Sequence, residues 1–350
     1  MRDRIRVLVV DDSPFMRRAV QRMLEPMASI EVVGTAADGR EAVEQAVRLR
    51  PDVVILDIVM PEMDGLAAIH GIMDQVPTPI LVLSTQARPG ADTTLRALEL
   101  GAVDFVSKAD AGTRMDIYDL APVLREKVLA AAESRPSRLN ALDAVGFEPP
   151  EPAVRPESPY EVLAIGASTG GPRALTTILS RLPANFPAGV VVAQHMPPGF
   201  TRTLAERLDR RSPLRVREVG DGDMVEPGLV LIGVGGRQLT VERGGAGLVA
   251  RVPQAPEPLL HRPSVDLLFR TVAAAAAERS VGLVLTGMGQ DGAEGLAAIR
   301  AAGGRTLAES EETAVIYGMP RAAGAAAEQV LPLDRMPEQL RRIFEGAERR

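Results

Sequence analysis

The sequence predicts an α/β protein of two domains, each a doubly wound parallel sheet with helices on both faces. Short runs rich in Val, Ile and Leu alternate with segments of helical spacing, the pattern of parallel strands joined by crossover helices. The alternation stops between Ala132 and Tyr160, where prolines stand at positions 136, 149, 150, 152, 156 and 159, and then resumes. At 350 residues the chain also exceeds what one hydrophobic core usually supports. The division that follows is a first domain over 1–132, a semi-extended Pro-rich linker over 133–158 and a second domain over 159–350.

In the first domain the strand segments are RVLVV (6–10), EVVGTA (31–36), DVVILDI (52–58), PILVLS (79–84) and DFVSK (104–108). Between the first two lies PFMRRAVQRML (14–24), which has helical spacing. The second domain opens with the strand EVLAIGA (161–167) and the helical segment RALTTILSRL (173–182), whose Leu175, Ile178, Leu179 and Leu182 share one face. GVVVAQH (189–195), LRVREV (214–219), LVLIGV (229–234), VGLVLTG (281–287) and RTLAES (305–310) supply further strands. RQLTVERGGAGLVARV (237–252) reads as a hairpin, with Gly244 and Gly245 as its turn.

Composition removes several function classes. A hydrophobic content of 46% and a charged content of 25% are ordinary globular values, which argue against a disordered or fibrous chain. The net charge of −6 gives no basic footprint for nucleic acid and no polybasic patch for a membrane surface. Cysteine is absent, so disulfides, thiolate metal sites and cysteine nucleophiles are excluded together. The apolar run near the N-terminus is too short for a signal segment, and no run approaches the ~20 residues of a membrane span. A cytoplasmic protein is expected.

Acids cluster at the strand ends of the first domain. Asp11 and Asp12 follow the first strand and Asp57 ends the third, and in a parallel sheet these ends share one edge. Ser84 and Lys108 add a hydroxyl and an ammonium to the same rim. Carboxylates gathered in this way repel one another and suit a hard divalent cation, for which Mg²⁺ is the usual oxygen-ligand partner. The alternative is a set of unrelated, solvated loop acids. This half resembles the flavodoxin-like receiver domain of bacterial response regulators over roughly residues 4–130. The resemblance implies that Asp57 accepts a phosphoryl group from a histidine kinase and that Asp11 and Asp12, with Asp57, hold Mg²⁺. It also makes Ser84 and Phe105 the switch pair and Lys108 the contact to the phosphoryl group. Receivers usually carry proline after the lysine, and here Ala109 follows it.

The second constellation begins at VLAIGASTGGP (162–172). Its GASTG fits G-x-S-x-G, a nucleophile elbow at a strand-to-helix turn, but the same glycines could cradle a phosphate on backbone amides. Histidine decides between them. His195 directly follows the next strong strand, so βαβ logic brings it to the sheet edge of Ser168, while His70 lies in a helical stretch and His261 in a loop. Asp291 follows another buried strand at that edge and can orient the imidazole, although it could also cap a helix starting near Ala293. The chain order Ser, His, Asp differs from the α/β-hydrolase order. GMGQDG (287–292) also fits a dinucleotide fingerprint with Glu309 or Glu311 as ribose acid, but Asp291 would then repel the pyrophosphate.

The stretches IGASTGGPRAL, QHMPPGFT, HRPSVDLLF, LTGMGQDGAEGL and YGMPRAA complete a resemblance to the CheB family of chemotaxis protein-glutamate methylesterases, whose Rossmann-like catalytic domain this half is similar to. The resemblance implies Ser168 as nucleophile, His195 as general base and Asp291 as its orienter. It implies hydrolysis of glutamate methyl esters on the cytoplasmic helices of chemoreceptors, releasing methanol, together with glutamine deamidation. The backbone amides of Thr169 and Met288 are the candidate oxyanion donors. No cofactor is expected for hydrolysis, Mg²⁺ is expected only for receiver phosphorylation, and the chain is expected to be a monomer activated by a chemotaxis histidine kinase. GVGGRQL departs from the family pattern, which more often has a proline before the glycines and a histidine at the place of Gln238; the departure leaves the triad intact and bears on the rim contacts to substrate.

Overall fold

The computed structural model describes residues 4–84, 88–108, 117–134, 158–253 and 260–346. The chain divides into two compact units, Met1–Asp143 and Ala144–Arg350. Ala109 and most of the Pro-rich linker lie outside the described residues.

The first unit is a five-stranded parallel sheet in the order β2-β1-β3-β4-β5, from β1 (Ile5–Val10), β2 (Ile30–Ala36), β3 (Val53–Asp57), β4 (Ile80–Ser84) and β5 (Asp104–Ser107). Its helices are α1 (Pro14–Leu24), α2 (Gly39–Leu49), α3 (Gly65–Gln75), α4 (Arg88–Glu99) and α5 (Ala121–Glu133). Strands β1 and β3 have buried residues on both faces, as a helix-covered parallel sheet requires. Helices α1, α2 and α3 begin at Ser13, Asp38 and Asp64, each side chain accepting a bond from a first-turn backbone N–H.

The second unit is a seven-stranded sheet in the order β14-β13-β12-β6-β7-β9-β8, all of whose pairs are parallel. Its central strands are β6 (Val162–Ala167), β7 (Gly189–Gln194) and β12 (Ser280–Val284), flanked by β8 (Arg215–Glu218), β9 (Leu229–Ile232), β13 (Arg305–Glu309) and β14 (Gln329–Leu331). The short β14 has no signal in the sequence, because none of its three residues is buried and one is glutamine. β10 (Thr240–Gly244) and β11 (Gly247–Arg251) form the expected hairpin, but Gly244 pairs with Gly247, so the turn is Gly245–Ala246.

Helix α6 (Gly171–Leu179) starts two residues earlier than its apolar face suggests, since Gly170 adopts φ +81° and Pro172 fits the first turn. Leu182 lies beyond the end of α6 yet is still buried. The remaining helices are α7 (Phe200–Arg211), α8 (Val265–Ala276), α9 (Ala293–Ala301), α10 (Met319–Ala323) and α11 (Met336–Phe344). No helix among the described residues is long and apolar enough to cross a membrane.

Candidate active site

In the first unit the acids converge. Ligand oxygens of Asp11, Asp12 and Asp57 lie within 4.8 Å of one another; Asp11 and Asp57 are buried and Asp12 is exposed. Three oxygen donors with one open side fit a hard cation such as Mg²⁺. Lys108 Nζ donates to Asp57 Oδ2 at 2.7 Å and to Asp11 Oδ2 at 3.1 Å. Burial opposes the charge on Lys108, but Asp57 beside it, with Asp11, outweighs that and raises its pKa. Burial also pushes Asp11 up, against the pull of Lys108. Ser84, at the end of β4, hydrogen-bonds the Thr94 hydroxyl, and Phe105 is buried in β5. Thus all the rim residues expected from the sequence stand on the same sheet edge.

In the second unit Ser168 follows β6 and His195 follows β7, and the two strands are neighbours. The His195 N–H donates to Ala167 O at 2.9 Å. Buried Gln194 ties the two turns together, its Nε2 donating to Ser168 O at 2.9 Å and to His195 O at 3.0 Å. A Cβ on Gly171 would stand 1.9 Å from Gln194 Oε1, so only glycine leaves room for this bridge. The Ser168 hydroxyl makes no hydrogen bond to His195 among the described contacts. Such bonds are often long until substrate is present.

His195 Nε2 bonds Asp291 Oδ2 at 2.8 Å. The carboxylate leaves Nδ1 as the ring nitrogen available for a serine proton. Asp291 also accepts the Val265 N–H at 2.8 Å, the Asp266 N–H at 2.9 Å and the Ser264 hydroxyl at 3.1 Å. Burial would raise its pKa, but the bonds from His195 and from the Asp266 and Val265 amides win and hold it well below the usual carboxylate range. The sequence allowed Asp291 to cap the helix after it. In fact Gly292 occupies that cap, and Asp291 serves the N-terminus of α8 instead. Asp266 returns the service, its Oδ1 accepting the Gly292 and Gly295 N–H groups at 2.9 and 2.7 Å.

The two candidate oxyanion amides border Ser168. A Cβ on Gly287 would lie 2.8 Å from Ser168 Cβ, which shows how closely the Gly287–Met288 turn approaches the serine. Both amides belong to peptide groups whose carbonyls are already bonded. Ser168 O accepts Gln194 Nε2, and Gly287 O accepts the Gly318 and Met319 N–H groups at 3.1 and 2.8 Å. Bonds on the carbonyl polarise the N–H at the other end of the peptide.

Two positions have roles that sequence reasoning did not assign. Gln238 is buried, its Nε2 donating to His261 O at 2.9 Å and its Oε1 accepting the Ser264 N–H at 2.8 Å. It braces the segment that binds Asp291. His261 is not a distant loop residue, for its ring stacks on His195 with centroids 4.1 Å apart and planes 11° from parallel. Burial, and then the neighbouring His195, lower its pKa against the pull of Asp291, and this favours the neutral ring. Its only sequence signal was its place just before RPSVD, the stretch that supplies the donors to Asp291. Glu309 is wholly buried, which removes it as a ribose-binding acid of a dinucleotide site.

Fold and site together define a class: an α/β enzyme with a serine, a histidine and an aspartate on one sheet edge, joined to a second α/β domain with an acidic sheet edge of its own. Comparison with known proteins makes the class specific. The family model described as CheB methylesterase matches residues 163–340, and that of the response regulator receiver domain matches residues 7–116. A protein-glutamate methylesterase/protein-glutamine glutaminase of Geobacter sulfurreducens is 44% identical over 360 residues, covering 96% of this chain and 96% of that protein. One from Pseudomonas aeruginosa is 45% identical over 338 residues, with 96% of each chain covered. The crystal structure of the Thermotoga maritima CheB methylesterase catalytic domain is 40% identical with a TM-score of 0.50, covering 52% of this chain and 97% of that one. The chain belongs to the CheB methylesterase family and is a methylesterase carrying a receiver domain.

Proposed function

We propose that the protein hydrolyses methyl esters of glutamate side chains on the cytoplasmic helices of chemoreceptors, releasing methanol, and deamidates receptor glutamines at the same site. The observation that carries this reading is the 2.8 Å bond between His195 and Asp291 at the sheet edge where Ser168 follows β6. Ser168 attacks the ester carbonyl as His195 takes its proton on Nδ1, and Asp291 stabilises the imidazolium that forms. The amides of Thr169 and Met288 hold the developing oxyanion, each such donor being worth about 2.7–4 kcal/mol. His195 then protonates the leaving methanol, and water attacks the acyl-enzyme by the reverse sequence. These steps draw all their proton transfers from the chain's own residues, so hydrolysis needs no cofactor.

Control falls to the receiver. A chemotaxis histidine kinase donates the phosphoryl group to Asp57, with Lys108, Ser84 and Phe105 responding to it, and phosphorylation activates the esterase. Asp11, Asp12 and Asp57 would hold Mg²⁺, which when bound neutralises charge on a transferring phosphoryl group. The protein acts as a cytoplasmic monomer without nucleic-acid or membrane partners. The test is methanol release from a methylated receptor fragment by wild type and Ser168→Ala. The variant should lose at least about 10³ of the rate with unchanged thermal unfolding; retention of activity within threefold rejects the mechanism.

A further inference from the structure

Glu309 ends β13 beside β12 and is wholly buried, yet it takes no part in the steps above. Its Oε2 accepts the Thr286 N–H at 2.8 Å and its Oε1 accepts the Thr313 hydroxyl at 2.9 Å. Thr286 is the residue that joins this carboxyl to the nucleophile turn. Its carbonyl accepts the Ser168 N–H at 3.0 Å, and its hydroxyl donates to Thr169 O at 2.8 Å while accepting the Ile316 N–H at 3.0 Å. Gly287 and Met288 follow it directly in the chain. One carboxyl therefore sits a single residue behind both turns that carry the candidate oxyanion amides.

We propose that Glu309 is a positioning residue for ester hydrolysis, holding the Ser168 turn through Thr286 and slowing the reaction when it becomes charged. This rests on Ser168 being the nucleophile. Both protonation states fit the pocket. The carboxylate accepts its two bonds, and the neutral acid can keep the Thr286 N–H on one oxygen while donating from the other to Thr313 Oγ1. Burial pushes the carboxyl up to about 7, against the smaller pull of the Thr286 and Thr313 bonds. The influences on its charge are burial and the Thr286 and Thr313 bonds, with no charged side chain among them. Neither β12 nor β14 carries a titratable side chain; the charged groups of the other neighbouring elements are Glu294 and Arg300 on α9, Arg321 on α10, and Glu311 and Glu312 in the following loop. His195, after β7, and Asp291, in the loop after β12, bond each other. A buried negative charge behind the oxyanion amides opposes the charge that develops on the substrate oxygen, so the ionised form is the slower one.

The experiment measures kcat and KM for methanol release by the full-length protein from pH 5.5 to 8.5, for wild type and Glu309→Gln. Glutamine keeps both contacts, its oxygen accepting the Thr286 N–H and its nitrogen donating to Thr313, but it cannot ionise. The ratio of the variant's kcat to that of wild type should rise by about threefold or more across this range, with its midpoint near pH 7 and little change in KM. A ratio flat with pH overturns the proposal, since a merely structural role would not make it titrate. Should Glu309→Gln fail to fold, Thr286→Val decides: it keeps the backbone donor to Glu309 but cuts the hydroxyl link to Thr169. Its kcat should fall by about tenfold or more, and an unchanged kcat overturns the proposal. Ser168→Ala run in parallel separates the two readings: if it is active the nucleophile assignment fails, and if it is inactive while the ratio stays flat only the role of Glu309 fails.

Discussion

Replacing Asp291 by asparagine tests how much of the rate comes from the orientation of one imidazole. The carboxylate accepts four bonds, two on each oxygen: His195 Nε2 and the Val265 N–H on Oδ2, the Asp266 N–H and the Ser264 hydroxyl on Oδ1. An amide offers one accepting oxygen and one donating nitrogen, so one pair must lose. With its nitrogen toward His195, it opposes the Val265 N–H and forces Nε2 to accept. The ring proton then moves to Nδ1, the atom that must receive the serine proton. With its nitrogen toward Ser264, the tautomer survives because the Ser264 hydroxyl can turn, but the Asp266 N–H faces another donor and the imidazolium loses its counter-charge. The equivalent change in a serine protease costs about 10⁴ in kcat through the wrong tautomer. The expected loss for Asp291→Asn is thus about 10³–10⁴, or about 4–5 kcal/mol of barrier. The frustrated backbone donor adds a stability loss of about 1–3 kcal/mol. Methanol release and urea unfolding on the same preparation give both numbers. A folded Asp291→Asn protein retaining more than about a tenth of wild-type kcat would refute the assignment of Asp291 as the orienter of His195.

Glu309 makes a second prediction, on stability. Its folded pKa of about 7 lies above the unfolded value of about 4.3, so between these values the folded state holds a proton that the unfolded state has lost. Stability from this group is therefore full below about pH 4 and falls as pH rises to about 7, by roughly 3–4 kcal/mol in all. Glu309→Gln should gain stability over wild type across that window, as read by urea unfolding; a pH-independent difference would contradict it. Chelation of divalent cations should prevent phosphorylation of Asp57 by a small phosphodonor and leave unstimulated ester hydrolysis intact; loss of the unstimulated rate would place a metal in the second unit. Asp57→Asn should abolish stimulation by the phosphodonor while the basal rate persists, and a stimulated Asp57→Asn enzyme would move the phosphoacceptor elsewhere. Gly171→Ala drives a methyl into Gln194 Oε1 and should lower kcat by about tenfold or more by displacing the bridge between the Ser168 and His195 turns; a normal kcat would make that bridge dispensable.

The strand ends were legible because parallel strands place all their C-terminal ends on one edge, so Asp11 and Asp57, or Ser168 and His195, could be brought together from chain order alone. What could not be read were contacts decided by which helix end meets which loop. Gln238, His261 and Ser264 stand within a span of 27 residues in sequence, yet their common purpose appears only when Asp291 arrives from another strand. Asp291 was expected beside His195, to which it bonds, and as a cap of the helix after it, whereas the amides it accepts belong to α8. The reason is the exchange between α8 and α9: Asp291, just before α9, caps α8, and Asp266, in the first turn of α8, binds the amides of Gly292, the N-cap of α9, and Gly295 in its first turn. Each carboxylate is held by the helix that the other precedes or opens, so neither can turn without unsatisfying backbone donors. The orientation of His195 is thereby tied to the packing of two helices, whose ends satisfy each other, rather than to a flexible loop. Glu309 shows the opposite limit. A strand-end acid reads in sequence as a solvent-facing group, but Glu309 pairs with the added strand β14, bonds Thr313 in the following loop and is wholly buried. Its charge is then no longer set by bulk water, and through Thr286 it stands behind the two turns on which the proposed reaction depends.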